Sequence, residues 1–513
     1  RVSYVLNLRG PSMTLDTMCS SSLTAIHLAC QDLRHGRTDM ALAGGVNLSI
    51  HPGKYSMLSA GQFISSAGHC QSFGEGGDGY IPGEGVGVVV LKRLSDAQRD
   101  GDAIHAIVRS SALNHGGKTN GYTVPNPQAQ AAVIADALAE GGIDARHVSY
   151  IEAHGTGTKL GDPIEIAAIS KAFQKYTADR QFCLLGSAKS NIGHCESAAG
   201  IAGLTKVILQ MQHRQIVPSL HSERLNPNID FDETPFIVNQ RLRTWEAPVV
   251  DGRRLPLIAG ISSFGAGGAN AHVVVEDYPA PADAAPYRDG VPCIVALSAR
   301  TLAQLQQKAE DLKAFVDKDA AIDLSALAYT LQIGREAMDE RLAMVVRSRA
   351  ELLEKLALFL GSDSIEDGAL ADDLFYAQSR RHRDAIALFS VDKELQASVD
   401  SWFRAGKFPR LIDLWTKGLD VDWRKLHGTS LPRRLHLPVY PFARERYWHE
   451  EMAVATSGPS AGTPALHSLT HHNTSKPGQQ RYRSAFRADD VRVAGVRLFG
   501  NPSVPRAVLI EAA

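Results

Sequence analysis

Apolar and polar positions along the chain alternate in two registers, and each predicts a different element. Strand-like runs at 104–110, 148–153 and 184–187 are each followed by a segment of helical period, at 127–141, 162–176 and 197–212. The series closes with strands at 256–261 and 270–276 around a glycine turn. Strands alternating with helices of this length predict a largely parallel sheet covered on both faces. Residues 2–6 and 12–15 read as short strands, 23–30 as a largely buried helix, and 39–46 as an apolar strand buried on both faces. The glycine-dense stretch 73–87 lacks the strand–loop–helix setting and the lysine of a phosphate-binding loop. Tight turns and close backbone packing are expected there instead.

After residue 278 the pattern changes. A Pro/Ala linker (279–292) leads to a small α/β unit (293–449). It has strands at 293–297 and 341–346, helices at 301–317, 323–333 and 349–360, helical segments over 398–426 and an aromatic-basic tail. A second flexible linker covers 450–463, and 464–513 forms a last segment.

Composition narrows the class. With 513 residues, 44% hydrophobic and 21% charged, the chain has room for about three globular domains. A net charge of −1 without a basic block gives nucleic acid no footing. Six cysteines without paired spacing suit a reduced, cytoplasmic setting, and no metal site is expected. No apolar run approaches the ~20 residues that span a bilayer. The chain begins at Arg1, and its candidate nucleophile follows almost at once. A fragment lacking its N-terminal part is therefore expected.

That candidate is Cys19. Asp16 or Thr17 is placed to cap the following helix, which would put Cys19 in the first turn, where free N–H groups favour a thiolate. Cys30, in apolar company, reads as a small hydrophobe. Three glycine-rich loops at the ends of the later strands carry His154-Gly155-Thr156-Gly157-Thr158, Lys189-Ser190-Asn191-Ile192-Gly193-His194 and Ser262 to Asn270. Taken singly, each fits a tight turn, a threonine cap or a surface charge. Taken together at one sheet edge, they predict a thiolate, two hydrogen-bond donors and a positive charge converging on one carbonyl.

The stretch from Asp16 to Ser22, the loop from Glu152 to Thr158 and the loop from Lys189 to His194 resemble the three signatures of β-ketoacyl synthases, specifically those of modular polyketide synthases. The resemblance spans residues 1 to about 280. It implies a thiolase-like α/β fold over 1–278 with most of its first half missing. It implies Cys19 as the acyl-carrying nucleophile, with the N–H groups of Cys19 and Phe264 as an oxyanion hole and Phe264 as a gate. His154 and His194 would stabilise an enolate, Lys189 would orient the site, and Thr156, Thr158 and Asn191 would bind pantetheine or substrate. No cofactor is implied on the chain itself, because substrates arrive on the 4'-phosphopantetheine of an acyl carrier protein. A homodimer is also implied, and His51-Pro52-Gly53-Lys54-Tyr55 resembles synthases served by a free-standing malonyl acyltransferase. Relatives that only pass chains along lack the histidine matching His154, so condensation is favoured. A chain-passing transacylase, a non-catalytic scaffold and a cysteine hydrolase stay open.

Residues 293–449 resemble the linker domain that follows such synthases, with tail aromatics as packing anchors and Arg444 and Arg446 as surface ion pairs. Residues 464–513 resemble the start of a dehydratase-like double-hotdog domain. Counting back from Gly500 and Pro505 puts Val496 at the position of that family's catalytic histidine. Valine exchanges no proton, so dehydration is not expected, and His467, His471 and His472 read as linker-end residues.

Overall fold

The computed structural model describes residues 1–278 and 290–447, except 363, 392 and 428–430, with short segments at 472–473, 481–484, 497–498 and 501–502. Its first part contains, in order, α1 (Val2–Val5), α2 (Ser21–Arg34), β1 (Met40–Asn47), α3 (Gly53–Ala60), β2 (Gly85–Lys92), α4 (Leu94–Arg99), β3 (Ala106–His115), α5 (Pro127–Gly141) and β4 (Tyr150–Glu152). There follow α6 (Gly161–Phe173), β5 (Cys183–Gly186), α7 (Lys189–Ile192), α8 (Ala199–His213), β6 (Phe236–Val238), β7 (Ile258–Phe264) and β8 (Ala269–Asp277). Local chemistry sets several of these boundaries. Asn126 accepts from the N–H groups of Gln128 and Ala129, Pro127 fills the first turn of α5, and Gly142 ends it at φ 60°.

Six strands form one sheet in the order β3-β8-β7-β4-β5-β6. The pairings β7–β4, β4–β5 and β5–β6 are parallel, whereas β3–β8 and β8–β7 are antiparallel. The expected parallel character therefore holds for one side of the sheet. The other side is antiparallel because a glycine hairpin joins β7 directly to β8. One face buries Val133, Ile134, Ile166 and Phe173 of α5 and α6. The opposite face buries Leu23, Ile26, Ile201 and Leu204 of α2 and α8. Both helix layers thus hold the strand ends, and the loops leaving them, in fixed positions.

Three expectations fail near the start. The expected strand at 2–6 is replaced by the short helix α1 over Val2–Val5, and 12–15 form no strand. Among the described residues, strand β1 pairs only with β2, in an antiparallel ribbon. Val86, Val88 and Val90 are exposed, so β1 belongs to a ribbon with one open face and is not buried on both sides.

A second sheet, antiparallel and in the order β9-β10-β12-β11, comprises β9 (Cys293–Ala299), β10 (Glu340–Val346), β11 (Gly368–Ala371) and β12 (Leu374–Gln378). Helices α9 (Leu302–Lys318), α10 (Leu324–Ile333) and α11 (Arg349–Leu360) fall where the periodicity put them, while the β11–β12 hairpin was not foreseen. The returning segment packs through Tyr440, whose hydroxyl accepts from the Arg300 N–H and donates to Gln304 Oε1, each at 3.0 Å. Trp423 is buried against Trp415. Phe442 and Tyr447 are exposed, as are Arg444 and Arg446, which make no ion pair among the described residues. The linker 450–463, the hotdog expectation, Val496, His467 and His471 lie outside the described residues. Among the described residues, no helix is long and apolar enough to cross a membrane.

Candidate active site

Cys19 lies one residue before Ser20, the N-cap of α2, and no side chain caps that helix. Asp16 instead accepts from the Met18 N–H at 2.9 Å, and Ser20 Oγ donates to the Thr17 carbonyl at 2.8 Å. Ser21 Oγ donates to the Met18 carbonyl at 2.6 Å. The expected capping by Asp16 or Thr17 is therefore replaced by a hydroxyl-braced turn, sharpened by a left-handed Met18 at φ 58°. The expected helix-tip thiolate is also corrected. Burial pushes the Cys19 thiol above its ordinary range, while Lys189 and the N–H groups of Ala266 and Cys19 pull it down only in part.

His194 is clamped by its backbone, donating to the Ile81 carbonyl at 2.7 Å and accepting from Gly83 at 2.8 Å. Its Nδ1 accepts from the Glu196 N–H at 2.8 Å. For His154, Glu165 accepts from the N–H groups of His154 and Gly155 at 2.7 and 2.8 Å, and the ring Nδ1 accepts from the Phe264 N–H at 3.4 Å. Both rings use Nδ1 as acceptor, so their partners assign the proton of each neutral imidazole to Nε2. Burial, then the charge of Lys189, holds both far below the ordinary imidazole range. The Cys19 sulfur and the two rings' ligand atoms lie within 4.8 Å of one another.

Such a trio has the count of a metal site. A metal-bound histidine normally donates its second N–H to an acceptor. Here both Nδ1 atoms face N–H donors, which suits the rings to donate hydrogen bonds from Nε2. The three groups open on a cleft of about 920 Å³, with Met57, Leu58 and Phe63 on its apolar side.

The remaining predicted residues divide. Thr156 and Thr158 line the cleft with their hydroxyls 3.1 Å apart, and Thr158 also accepts from the Gly161 N–H at 3.2 Å. Lys189 is buried behind the cleft and acts on Cys19 and both histidines through its charge. Asn191 is exposed, accepts from Ser190 Oγ at 3.0 Å and does not line the cleft, because α7 turns it outward. Phe264 is buried at the end of β7, with its ring 5.7 Å from His154 and its N–H directed at that ring. It also lines the cleft, and because its N–H faces His154, the neighbouring N–H that acts on the Cys19 sulfur is that of Ala266. Gly265 permits this approach, since a Cβ there would lie 2.4 Å from the Thr17 carbonyl oxygen.

Besides Ala266, two acidic residues escaped the sequence reading. Asp162, at the start of α6, accepts from the N–H groups of Phe73 at 2.7 Å and Gly157 at 3.1 Å, and Glu165 one turn on holds the His154 loop. Burial raises their carboxyls to about 6 and about 7. Their signal was present: acidic residues in the opening turns of a helix that follows a histidine loop.

A cysteine flanked by two donor imidazoles, brought together by loops around one sheet of a thiolase-like fold, defines the condensing-enzyme class. Family models agree: the β-ketoacyl synthase N-terminal domain matches residues 1–97, its C-terminal domain 105–223, and the RhiE-like KS-MAT linker domain 296–363. The chain belongs to the β-ketoacyl synthase family, as a ketosynthase domain of polyketide synthases. It is similar to the ketosynthase from module 6 of the bacillaene synthase of Bacillus subtilis 168, with TM-score 0.80, 43% identity and coverage of 87% of this chain and 76% of that one. The oxazolomycin ketosynthase domain OzmH KS7 of Streptomyces albus gives TM-score 0.76 at 44% identity, covering 87% and 72%. Polyketide synthase PksL of Bacillus subtilis is 54% identical over 89% of this chain and 10% of that protein. Polyketide synthase ThaG of Burkholderia thailandensis is 49% identical over 100% and 9%. The chain thus spans about a tenth of the length of these curated relatives.

Proposed function

We propose that the chain catalyses decarboxylative Claisen condensation between an acyl chain held on Cys19 and a malonyl unit, both delivered as phosphopantetheine thioesters of acyl carrier protein. First, Cys19 sulfur attacks the incoming thioester carbonyl. The tetrahedral oxyanion meets the N–H groups of Cys19 and Ala266, and the pantetheine sulfur leaves with the thiol proton. Next, the malonyl carboxylate departs as carbon dioxide. Its electron pair passes to an enolate whose oxygen accepts from Nε2–H of His154 and His194. The enolate carbon then attacks the Cys19 thioester, forming the new carbon–carbon bond and releasing the Cys19 sulfur, which regains a proton. Lys189 stabilises negative charge from behind, and Thr156 and Thr158 steady the pantetheine arm.

The observation that carries this reading is the convergence of the sulfur and two rings within 4.8 Å, with both Nδ1 atoms held as acceptors. Acyl carrier protein, a free-standing malonyl acyltransferase, a homodimeric state and a cytoplasmic setting complete the proposal. The test is intact-mass detection of acyl-Cys19 together with carbon dioxide release from a malonyl thioester. Cys19→Ala is expected to lose the acyl adduct. An adduct that persists in Cys19→Ala overturns the proposal, and acylation without any decarboxylation in the unaltered chain points to a chain-passing transacylase.

A further inference from the structure

We infer that Lys54, Glu196 and Tyr80 form a polar station on the cleft wall that reads an oxygen on the β-carbon of the acyl chain carried by Cys19. This rests on the acyl-enzyme reading above and adds the class of chain preferred: β-hydroxy or β-keto over saturated.

All three residues line the cleft that holds Cys19. Lys54 Nζ lies 2.7 Å from Glu196 Oε2 and donates to Asn47 Oδ1 at 3.3 Å. Asn47 is itself buried and fixed by donating to the Gly83 carbonyl at 2.7 Å. Tyr80 donates to Glu196 Oε1 at 3.4 Å and sets its ring 4.8 Å from that of His194. The station therefore adjoins the reacting groups. Glu196 supplies the N–H that orients His194, and its carboxylate and the Lys54 ammonium act electrostatically on Cys19 and His194 respectively.

A partly buried ion pair in a cleft wall is costly to desolvate and serves no fully aliphatic guest. Two of the three Lys54 N–H donors have protein partners among the described residues, which leaves one for a guest. Beyond its thioester carbonyl, the first polar atom that a growing chain can offer is its β-oxygen. A site built to hydrogen-bond an oxygen rejects the analogue that lacks it.

The test loads the full chain with 3-hydroxybutyryl and butyryl N-acetylcysteamine thioesters in competition and counts Cys19 adducts by intact mass. The hydroxyacyl group is expected to load about tenfold faster, a ratio typical of one charge-assisted hydrogen bond. Lys54→Met is expected to collapse the ratio, Lys54→Arg to restore it, and Tyr80→Phe to lower it in part. Tyr80→Phe removes only a hydroxyl and keeps the test open should Lys54→Met fail to fold. A ratio near one in the unaltered chain, or one that Lys54→Met and Tyr80→Phe leave unchanged, overturns the inference while acylation stands. A chain whose Cys19 takes neither thioester overturns the inference and the acyl-enzyme reading together.

Discussion

Most helices around the cleft begin differently from those on the β9–β12 sheet, with α5, capped by Asn126, the exception. Helices α2, α6 and α8 start without a side-chain cap. Helices α9, α10 and α11 start on Thr301, Asp323 and Ser348, each accepting a hydrogen bond from the first turn. Two left-handed non-glycine residues, Met18 and Glu196, line the cleft itself, whereas Asp373 sits in the β11–β12 turn of the second region. Both regions bury carboxyls, but Asp162 and Glu165 hold the backbone of the His154 loop, whereas Glu340 in the second sheet accepts from the side chains of Tyr376 and Gln378. Local regularity is given up where backbone N–H groups and imidazoles must aim at one point, and kept where only packing is required.

If that division is real, the largest stability loss comes from the packed region. Phe359 is fully buried, its ring 6.3 Å from that of Tyr376. Phe359→Ala is expected to cost about 3–5 kcal/mol in urea melts, and to leave the alkylation rate of Cys19 in the folded chain unchanged. A changed Cys19 rate in the folded variant would mean that the two regions are coupled and the comparison is wrong.

The converse substitution is His154→Ala. With one of two enolate donors gone, carbon dioxide release from a malonyl thioester should fall by about 10²–10³-fold. Its cleft position predicts a shift in stability of roughly 1 kcal/mol or less. Unfolding on the scale of Phe359→Ala would show that the ring is a packing element.

How far the sequence carries depends on the same division. Helices α5 and α11 end where the periodicity puts them, and the structure shows Asn126, Gly142 and Ser348 closing those ends. Cys19, His154 and His194 were legible because three separate signatures mark them. Ala266 was not: it lies in the turn between β7 and β8, where the turn's geometry sets N–H direction, and sequence alone does not say whether residue 264 or 266 faces the sulfur. Residues 2–6 have a strand's composition but no partner strand among the described residues, and hydrogen bonds within a helical turn form instead. Asn191 shares a motif with Lys189 and His194, yet a helical turn sends neighbouring residues to different faces.

Glu165 sharpens the comparison through pH. Its carboxyl sits at about 7 in the folded chain, against an ordinary 4.5, because burial disfavours the charge. Between those values the folded state binds more protons than the unfolded one, so this group's contribution falls as pH rises through the window and levels off above it. Asp162, raised to about 6, acts in the same direction. Relative to Glu165→Gln, the unaltered chain should therefore gain roughly 2 kcal/mol on going from pH 7.5 to 5. Parallel melting curves for the two proteins across that range would contradict the assignment.

Thr301 gives the smallest effect and the most direct check on the caps. Its Oγ1 accepts from the Gln304 N–H at 3.3 Å, and the side chain at that position faces solvent. Thr301→Ala removes one acceptor without opening a cavity, so about 1 kcal/mol of stability should be lost. Thr301→Ser keeps the hydroxyl and should recover most of it. Ser20, the N-cap of α2, spends its hydroxyl on Thr17, so Ser20→Ala should instead disturb the turn that holds Cys19. Its effect is expected in the acylation rate of Cys19 before it is seen in a melt. If Ser20→Ala behaves as Thr301→Ala does, losing stability with acylation intact, then α2 is an ordinarily capped helix and the contrast between the two regions fails at its first residue.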